Sequence, residues 1–184
     1  MPLVTESTPL FIDVAWQEKT AKPGRPAGLM LSYQGMEEGS QFLIDVELLH
    51  PDGTGEVYTS VELPVTTSRG AETHALLLPK RPEKAARKLD DVTVRNPYTA
   101  RFKVSCDGVE SQWSEPAILL MDLQLRVNTQ ADLPVRDRTP VFLETSDECV
   151  HRAYTQQGQA QFTDVLSGPY RVWIDQHQHK QGPQ

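Results

Sequence analysis

Apolar and polar residues alternate along most of the chain with the period of two that is typical of β-strands. The clearest example is residues 41–63, in which two alternating runs are separated by the turn-forming sequence Pro51-Asp-Gly-Thr-Gly55. This pattern predicts a β-hairpin with one face in a core. The inward positions that we predict are Phe42, Ile44, Val46 and Leu48 in the first run and Val57, Thr59, Val61 and Leu63 in the second.

The same pattern predicts strands in both halves of the chain. In the first half they cover residues 10–16, 27–33 and 98–106, the last followed by the turn pair Asp107-Gly108. The long alternation over residues 117–127 is interpreted as the last strand of one module running into the first strand of the next. Residues 139–144, 149–155, 159–163 and 170–174 then form short runs at roughly ten-residue spacing, as in a sandwich.

These elements predict an all-β protein of two β-sandwich modules in tandem. The first module is expected over residues 1–121 and the second over residues 122–175, with a flexible polar tail at 176–184. Only residues 79–89 resemble a helix, of two turns at most, with Pro82 at its first position.

Composition and charge narrow the range of partners and cellular locations that we expect for this chain. Eighteen basic and 25 acidic residues give a net charge of -7, the wrong sign for a protein that binds phosphates, so we expect no nucleic acid partner. No apolar run approaches the roughly 20 residues that cross a bilayer, so we expect no membrane association. The N-terminal residues show no secretory signal, which predicts a cytoplasmic protein. Cys106 and Cys149 fall in different modules, and we expect two buried, reduced thiols.

The second module carries an ordered set of short motifs. Val141-Phe-Leu143 is followed by Thr155-Gln-Gln-Gly158-Gln-Ala160-Gln-Phe162 and then by Gly168-Pro-Tyr170-Arg-Val172. Gly158 suits a turn, and Ala160 and Phe162 share one face of a strand. Over residues 120–174 this order resembles the carboxypeptidase-regulatory-like, or transthyretin-like, β-sandwich.

The first module contains two further motifs. The sequence from Ala100 to Pro116, with Ser111-Gln-Trp113-Ser114 at its end, resembles the final hairpin of a fibronectin type III or immunoglobulin-like domain. Earlier segments resemble immunoglobulin-like modules that accompany the spike proteins of type VI secretion systems; they are Val14-Ala-Trp16, Ala27-Gly-Leu29-Met-Leu31 and Gly35-Met-Glu-Glu-Gly39. Such spikes also carry transthyretin-like modules, some of which recruit effectors.

Catalytic and metal-binding patterns are weak. Cys149-Val-His151 and His177-Gln-His179 place potential ligands on one strand face, but neither pair has the spacing of a structural zinc site. Gly-x-Ser-x-Gly, His-Glu-x-x-His and phosphate-loop motifs are absent from the sequence. His50 and His74 have no partner that the sequence identifies. We therefore predict no catalytic residues, no metal and no cofactor, and a hydrolase or metal-dependent enzyme is the least favoured alternative.

Two features are candidate partner-binding surfaces. Five basic residues lie within residues 80–88 of this acidic chain, and Lys84, Arg87 and Lys88 are the candidates within that cluster. Trp173 is out of phase with the inward residues of its strand, so we expect Trp173 at the surface with Tyr154 as a second candidate aromatic. Trp16 and Trp113 are expected in the core of the first module. Unpaired strand edges offer another mode of contact.

The combined resemblance implies a non-catalytic adaptor or accessory structural component of a bacterial type VI or related contractile secretion apparatus. Its expected partner is a secretion spike protein or an effector, and the oligomeric state is left open. Such components assemble in the cytoplasm, in keeping with export as part of the apparatus without a signal peptide. The alternative is a carbohydrate- or peptide-binding module.

Overall fold

The computed structural model describes residues 8–80, 96–129 and 131–174. The regular secondary structure in these ranges consists of β-strands alone. The prediction of an all-β protein of sandwich-like domains is confirmed. The described chain divides into two compact units, each with its own apolar core. Unit 1 comprises residues 8–80 and 98–119, and unit 2 is formed mainly by residues 120–129 and 131–174.

Unit 1 contains two antiparallel sheets. Its strands are β1 (Leu10–Trp16), β2 (Thr20–Ala21), β3 (Pro26–Gln34), β4 (Gln41–Leu49), β5 (Gly55–Pro64), β6 (Arg69–Leu77), β7 (Thr99–Cys106), β8 (Val109–Glu110) and the first residues of β9 (Ala117–Arg126). One sheet has the order β1-β3-β6, and the other has the order β9-β7-β4-β5. Two short strands add to the second sheet, β2 parallel to β9 and β8 antiparallel to β7. This order is consistent with an immunoglobulin-like sandwich.

The alternation predicted from the sequence places the core of unit 1. The inward residues of β4 and β7 are almost completely buried; they are Phe42, Ile44, Val46, Leu48, Ala100, Phe102 and Val104. Trp16 joins the two sheets, because its ring packs edge-on against Phe102 at 4.9 Å between centroids. Its Nε1–H donates a hydrogen bond to the carbonyl oxygen of Ala100 at 3.1 Å.

The predicted hairpin forms, but the alternation of its second strand is interrupted. β4 pairs with β5, and the register shifts so that Val46 lies opposite Thr59 while Glu47 lies opposite Val57. Tyr58 is therefore the extra residue of a β-bulge, which reverses the facing of the residues before it. Val57, predicted to face inward, is 83% exposed, and that prediction is wrong.

The prediction that Trp113 is buried is also wrong. Trp113 lies in an irregular segment between β8 and β9, where strand alternation does not apply, and it is 38% exposed. Its ring lies against the outward side chains of β7, with Arg101 Cζ at 4.6 Å and Lys103 Nζ at 5.6 Å from the centroid. Cation–π contact, rather than core burial, holds this side chain.

Two serines in the same segment make the hydrogen bonds to the backbone of β7 that a neighbouring strand would otherwise make. The Phe102 amide donates to Ser114 Oγ at 3.0 Å, and the Ser114 amide donates to the Phe102 carbonyl at 2.8 Å. Ser111 repeats the arrangement with Val104, at 2.9 Å and 2.8 Å. The backbone of β7 thus keeps its hydrogen bonds where no continuous neighbouring strand is present.

Strand β6 was not predicted from the sequence, because the positions that share the inward phase include polar residues. Glu72 and His74 lie opposite the buried Leu31 and Leu29 of β3, and both are partly buried. A search for apolar alternation does not detect such a strand.

Unit 2 contains two smaller antiparallel sheets. The remainder of β9 pairs with β12 (Gln159–Leu166), and β10 (Pro140–Glu144) lies between β11 (Val150–Tyr154) and β13 (Arg171–Ile174). Between the sheets lie the buried side chains of Val127, Val141, Leu143, Ala160, Phe162 and Val165. Gln157 and Gly158 both have positive φ, 51° and 74°, in a two-residue turn closed by Gln156 and Gln159 between β11 and β12, as a type I′ turn requires.

Some predictions fall outside the described residues. The helix predicted over residues 79–89 lies almost wholly in the segment 81–95, and the tail predicted at 176–184 lies in the segment 175–184. Among the residues that the structure describes, no helix has the length and apolar character that a membrane crossing needs.

Candidate partner-binding face

The register of the β11-β10-β13 sheet brings the predicted aromatic residues to one face. Phe142 in β10 lies opposite Trp173 in β13 and opposite Arg152 in β11. Directly paired residues point to the same side of a sheet, so these three side chains form one row across it. Val141 and Leu143, on either side of Phe142, are completely buried, so the row lies on the outer face.

Trp173 and Phe142 form an aromatic pair on this face. Their ring centroids are 5.6 Å apart and their planes differ by 12°, so the rings are stacked. Trp173 is 38% exposed and Phe142 is half-buried. The stack fixes the orientation of the tryptophan ring while leaving part of it open to solvent.

Tyr154 and Arg152 form a second pair at the β11 side of the face. Tyr154 is two residues after Arg152 in the same strand, so both side chains point outward, and Tyr154 is 53% exposed. The guanidinium carbon of Arg152 lies 5.4 Å from the centroid of the Tyr154 ring. Val150, the next outward residue of β11, is also exposed.

The other charges of the face are already balanced. Arg171 Nη1 donates to Glu144 Oε2 at 3.2 Å, across the β13–β10 pair. Arg152, by contrast, has no carboxylate partner among the residues that the structure describes. We call the outer-face residues Phe142, Glu144, Val150, Arg152, Tyr154, Arg171 and Trp173 the aromatic face.

Neither thiol has the lowered pKa of an activated catalytic nucleophile. Burial, with the adjacent Asp107 carboxylate, raises the pKa of the Cys106 thiol to about 11, so it is protonated at neutral pH. Cys149 is exposed, and the prediction that both thiols are buried is wrong for this residue because it lies in the turn before β11. A hydrogen bond to Asp147 raises the pKa of Cys149 as well.

Unit 1 contains a partly buried polar cluster that connects β3 and β6. The Tyr33 hydroxyl donates to Glu72 Oε1 at 2.6 Å, and Thr66 Oγ1 donates to the same oxygen at 3.0 Å. His74 Nε2 lies 3.0 Å from Glu72 Oε2. Burial raises the pKa of Glu72, but these hydrogen bonds outweigh it and hold the pKa below its usual value. Burial and the hydrogen bond to Glu72 raise the pKa of Tyr33.

The structure brings two of the five predicted partner-binding residues together. Trp173 and Tyr154 lie on the aromatic face, whereas Lys84, Arg87 and Lys88 lie outside the described residues. Sequence reasoning missed Phe142 and Arg152. The alternation around Phe142, which lies between Val141 and Leu143, is a signal that could have identified it as outward-facing, but only the register shows which strands lie beside it.

The histidines that the structure describes, His50, His74 and His151, lie in different strands or turns. Within residues 8–80, 96–129 and 131–174, no three His, Cys, Asp or Glu side chains are placed to hold a metal ion together. His50 lies 3.5 Å from Glu56 Oε1 and packs edge-on against the ring of Tyr98. His177 and His179 belong to the undescribed C-terminal segment.

No family model matches this chain, and no curated protein matches it. Among solved structures, the chain is similar to a tetra-tandem repeat from the extending region of a large adhesion protein, with 10% identity and a TM-score of 0.34 over 91% of this chain and 48% of that chain. It is also similar to red sea bream transglutaminase, with 11% identity and a TM-score of 0.27 over 92% of this chain and 29% of that chain. The chain thus spans about half the length of the first and under a third of the second.

Proposed function

We propose that this chain is a non-catalytic protein-binding module that contacts its partner through the aromatic face of unit 2. The observation that carries the proposal is the set of outward side chains on three adjacent strands: Trp173 stacked on Phe142, and Arg152 held against Tyr154. Tryptophan, tyrosine and arginine are the residues most enriched where protein interfaces concentrate their binding energy. Here they are partly exposed and held in place by one another.

The biological setting of the proposal is an adaptor or accessory structural component of a bacterial type VI or related contractile secretion apparatus. The support is the sequence order of the second module, in which Gly158, Ala160 and Phe162 precede Gly168 and Tyr170 as in transthyretin-like modules. The proposed partner is a secretion spike protein or an effector. Lys84, Arg87 and Lys88 are a second proposed contact surface, supported by their clustering in an acidic chain.

A carbohydrate ligand is the alternative that two exposed aromatic residues on one face favour. Sugars stack on the open face of an aromatic ring, and one face of Trp173 is already occupied by Phe142. Tyr154 is similarly engaged by Arg152. These pairs leave no more than one face of each ring open to a ligand and place a charged group beside Tyr154, which suits a protein surface better than a sugar ring.

The test is a pull-down from the native host's cytoplasm with the full tagged chain, read by mass spectrometry. The double variant Trp173→Ala/Tyr154→Ala should lose a spike protein or effector that the unchanged chain recovers. Trp113→Ala is the matched control, because Trp113 is also 38% exposed but lies in unit 1, and it should retain the partner. Circular dichroism of each variant verifies that the fold is intact.

Other results would contradict the proposal. Equal recovery by the double variant and by the control would exclude the aromatic face. Charge reversal at Lys84, Arg87 and Lys88 tests the second surface in the same way. Recovery of partners unrelated to secretion would refute the proposed setting while leaving the binding face intact, and glycan-array binding that the double variant loses would support the carbohydrate alternative instead.

A further inference from the structure

We infer that the aromatic face recognises an acidic protein segment, with a partner carboxylate bound by Arg152 and an adjacent apolar side chain packed against Phe142 and Trp173. This inference rests on the proposed function, since it names the chemistry of the partner at the same face. It follows from how charge is distributed over the face and its border.

Among the residues that the structure describes, Arg152 is the charge of the face that has no carboxylate partner. Arg171 donates to Glu144 across the sheet, so that pair is neutral before any partner arrives. The guanidinium of Arg152 contacts only the ring of Tyr154, with no carboxylate beside it in the described residues. A ring contact leaves the donor N–H groups available, and the planar guanidinium matches a carboxylate in two-bonded geometry.

Residues 136–138 of the same chain lie beside the Tyr154 end of β11 and add to its positive charge. The carbonyl of Thr155, next to Tyr154, accepts a hydrogen bond from the Arg138 amide at 2.7 Å, and Thr155 Oγ1 donates to the Arg136 carbonyl at 2.6 Å. Arg136 and Arg138 are both exposed. Asp137 between them accepts a hydrogen bond from the Gln157 amide through Oδ1 at 2.6 Å and keeps its negative charge, so residues 136–138 carry a net charge of +1. The backbone of Arg136 and Arg138 is therefore bonded to the residue that follows Tyr154, and the net positive charge of this segment adds to that of Arg152.

The opposite end of β11 is acidic, so the two ends of this strand carry opposite charges. Asp147 and Glu148 are exposed in the turn that precedes β11. Asp147 accepts hydrogen bonds from Thr145 Oγ1 and the Cys149 amide, so it remains a fixed negative charge. Burial raises the pKa of Asp147, but these bonds outweigh it and lower the pKa below its usual value. An acidic segment is attracted to the Tyr154 end and repelled from the turn.

The chain as a whole makes this local charge informative. Its net charge is -7, so a basic end on the aromatic face is opposite in sign to the charge of the chain as a whole. Such contrast steers a negatively charged segment away from the acidic parts of the surface and toward basic ones, of which the Tyr154 end of the aromatic face is one. The apolar neighbours then supply contacts that a simple ion pair lacks.

The experiment uses a phage-displayed library of random 12-residue peptides, selected on the immobilised full chain. The expected result is enrichment of peptides with Asp or Glu next to Leu, Phe or Trp. A synthetic enriched peptide should bind Arg152→Glu at least tenfold more weakly than the unchanged chain, since a hydrogen-bonded charge pair is lost. Arg152→Gln should also weaken binding. Raised salt should weaken peptide binding to the unchanged chain but not to Arg152→Gln.

Two controls separate the inference from the proposed function. Arg126→Glu changes an exposed arginine in β9, away from the aromatic face, and should alter the affinity less than twofold. Replacing the peptide's acidic residue with Lys should restore binding to Arg152→Glu. Peptides that require Trp173 and Tyr154 but show no acidic preference, or that bind Arg152→Glu normally, would overturn the inference and leave the binding face standing. Failure to enrich any peptide sensitive to Trp173→Ala/Tyr154→Ala would count against both.

Discussion

The serine pair beside β7 permits a quantitative prediction for Ser114→Ala. The hydroxyl of Ser114 is the acceptor for the Phe102 amide, and both residues are buried, Ser114 at 4% exposure and Phe102 at zero. Alanine removes the acceptor but leaves the backbone where it is, because the Ser114 amide still donates to the Phe102 carbonyl. The Phe102 N–H would then be buried without a partner.

The expected cost follows from that single orphaned donor. An unsatisfied buried polar group lowers the free energy of unfolding by about 1–3 kcal/mol. In a domain of roughly 100 residues, each kcal/mol lowers the melting temperature by about 4–8 °C. Ser114→Ala should therefore lower the melting temperature of unit 1 by about 10 °C for a loss of ~2 kcal/mol.

The measurement is thermal unfolding followed by circular dichroism, with Ser60→Ala as the control. Ser60 Oγ also donates a hydrogen bond, to Asp45 Oδ1 at 2.6 Å, but that pair is exposed and water can replace it. We expect Ser60→Ala to shift the melting temperature by about 4 °C or less, since surface substitutions usually cost no more than about 0.5 kcal/mol. Hydrogen exchange of the Phe102 amide should accelerate in Ser114→Ala alone. Equal melting temperatures for the two variants would refute the account of the serine pair.

Three other predictions follow from single side chains. Hydrogen bonds lower the pKa of Glu72 in the folded protein. The stability that they provide is therefore complete above the pKa of Glu72 in the unfolded chain and is lost as the pH falls through its pKa in the folded protein. Glu72→Gln should weaken the dependence of the free energy of unfolding on pH in the acid range, as urea unfolding at a series of pH values would show. Iodoacetamide should modify Cys149 in the folded protein and Cys106 only in denaturant, as intact mass would show. Val57→Asp should change the free energy of unfolding by less than about 0.5 kcal/mol, whereas Val46→Asp in the same hairpin should prevent folding.

The core of unit 1 could be predicted from the sequence because strand alternation directly reports which side chains face inward. Phe42 and Phe102 were assigned to the core by this pattern, and both are completely buried. The method failed where the backbone leaves the regular period. The bulge at Tyr58 reversed the facing of Val57, and the irregular segment that ends at Ser114 exposed Trp113. Neither irregularity has an apolar signature in the sequence.

The aromatic face was predictable only in part. The phase of Trp173 predicted an exposed ring, and the structure agrees. The stacking partner of that ring depends on register, which pairs Phe142 in β10 with Trp173, 31 positions further along the chain. The contact of Arg152 with Tyr154 also needed the strand to be located and its outward face assigned. Pairings between distant segments therefore define the face, whereas local pattern supplies only its candidate members.

The edges of unit 1 indicate why contact through side chains is favoured over addition of a strand. Within the described residues, β1, β5 and β6 are the outer strands of its two sheets. A bulge at Ile12 interrupts β1 and another at Tyr58 interrupts β5, while β6 turns Glu72 and His74 inward. Bulges and inward charges are devices that prevent an edge from pairing with another chain. Since these edges are poor templates for a partner strand, our proposal assigns partner binding to the aromatic face, which presents side chains rather than backbone groups.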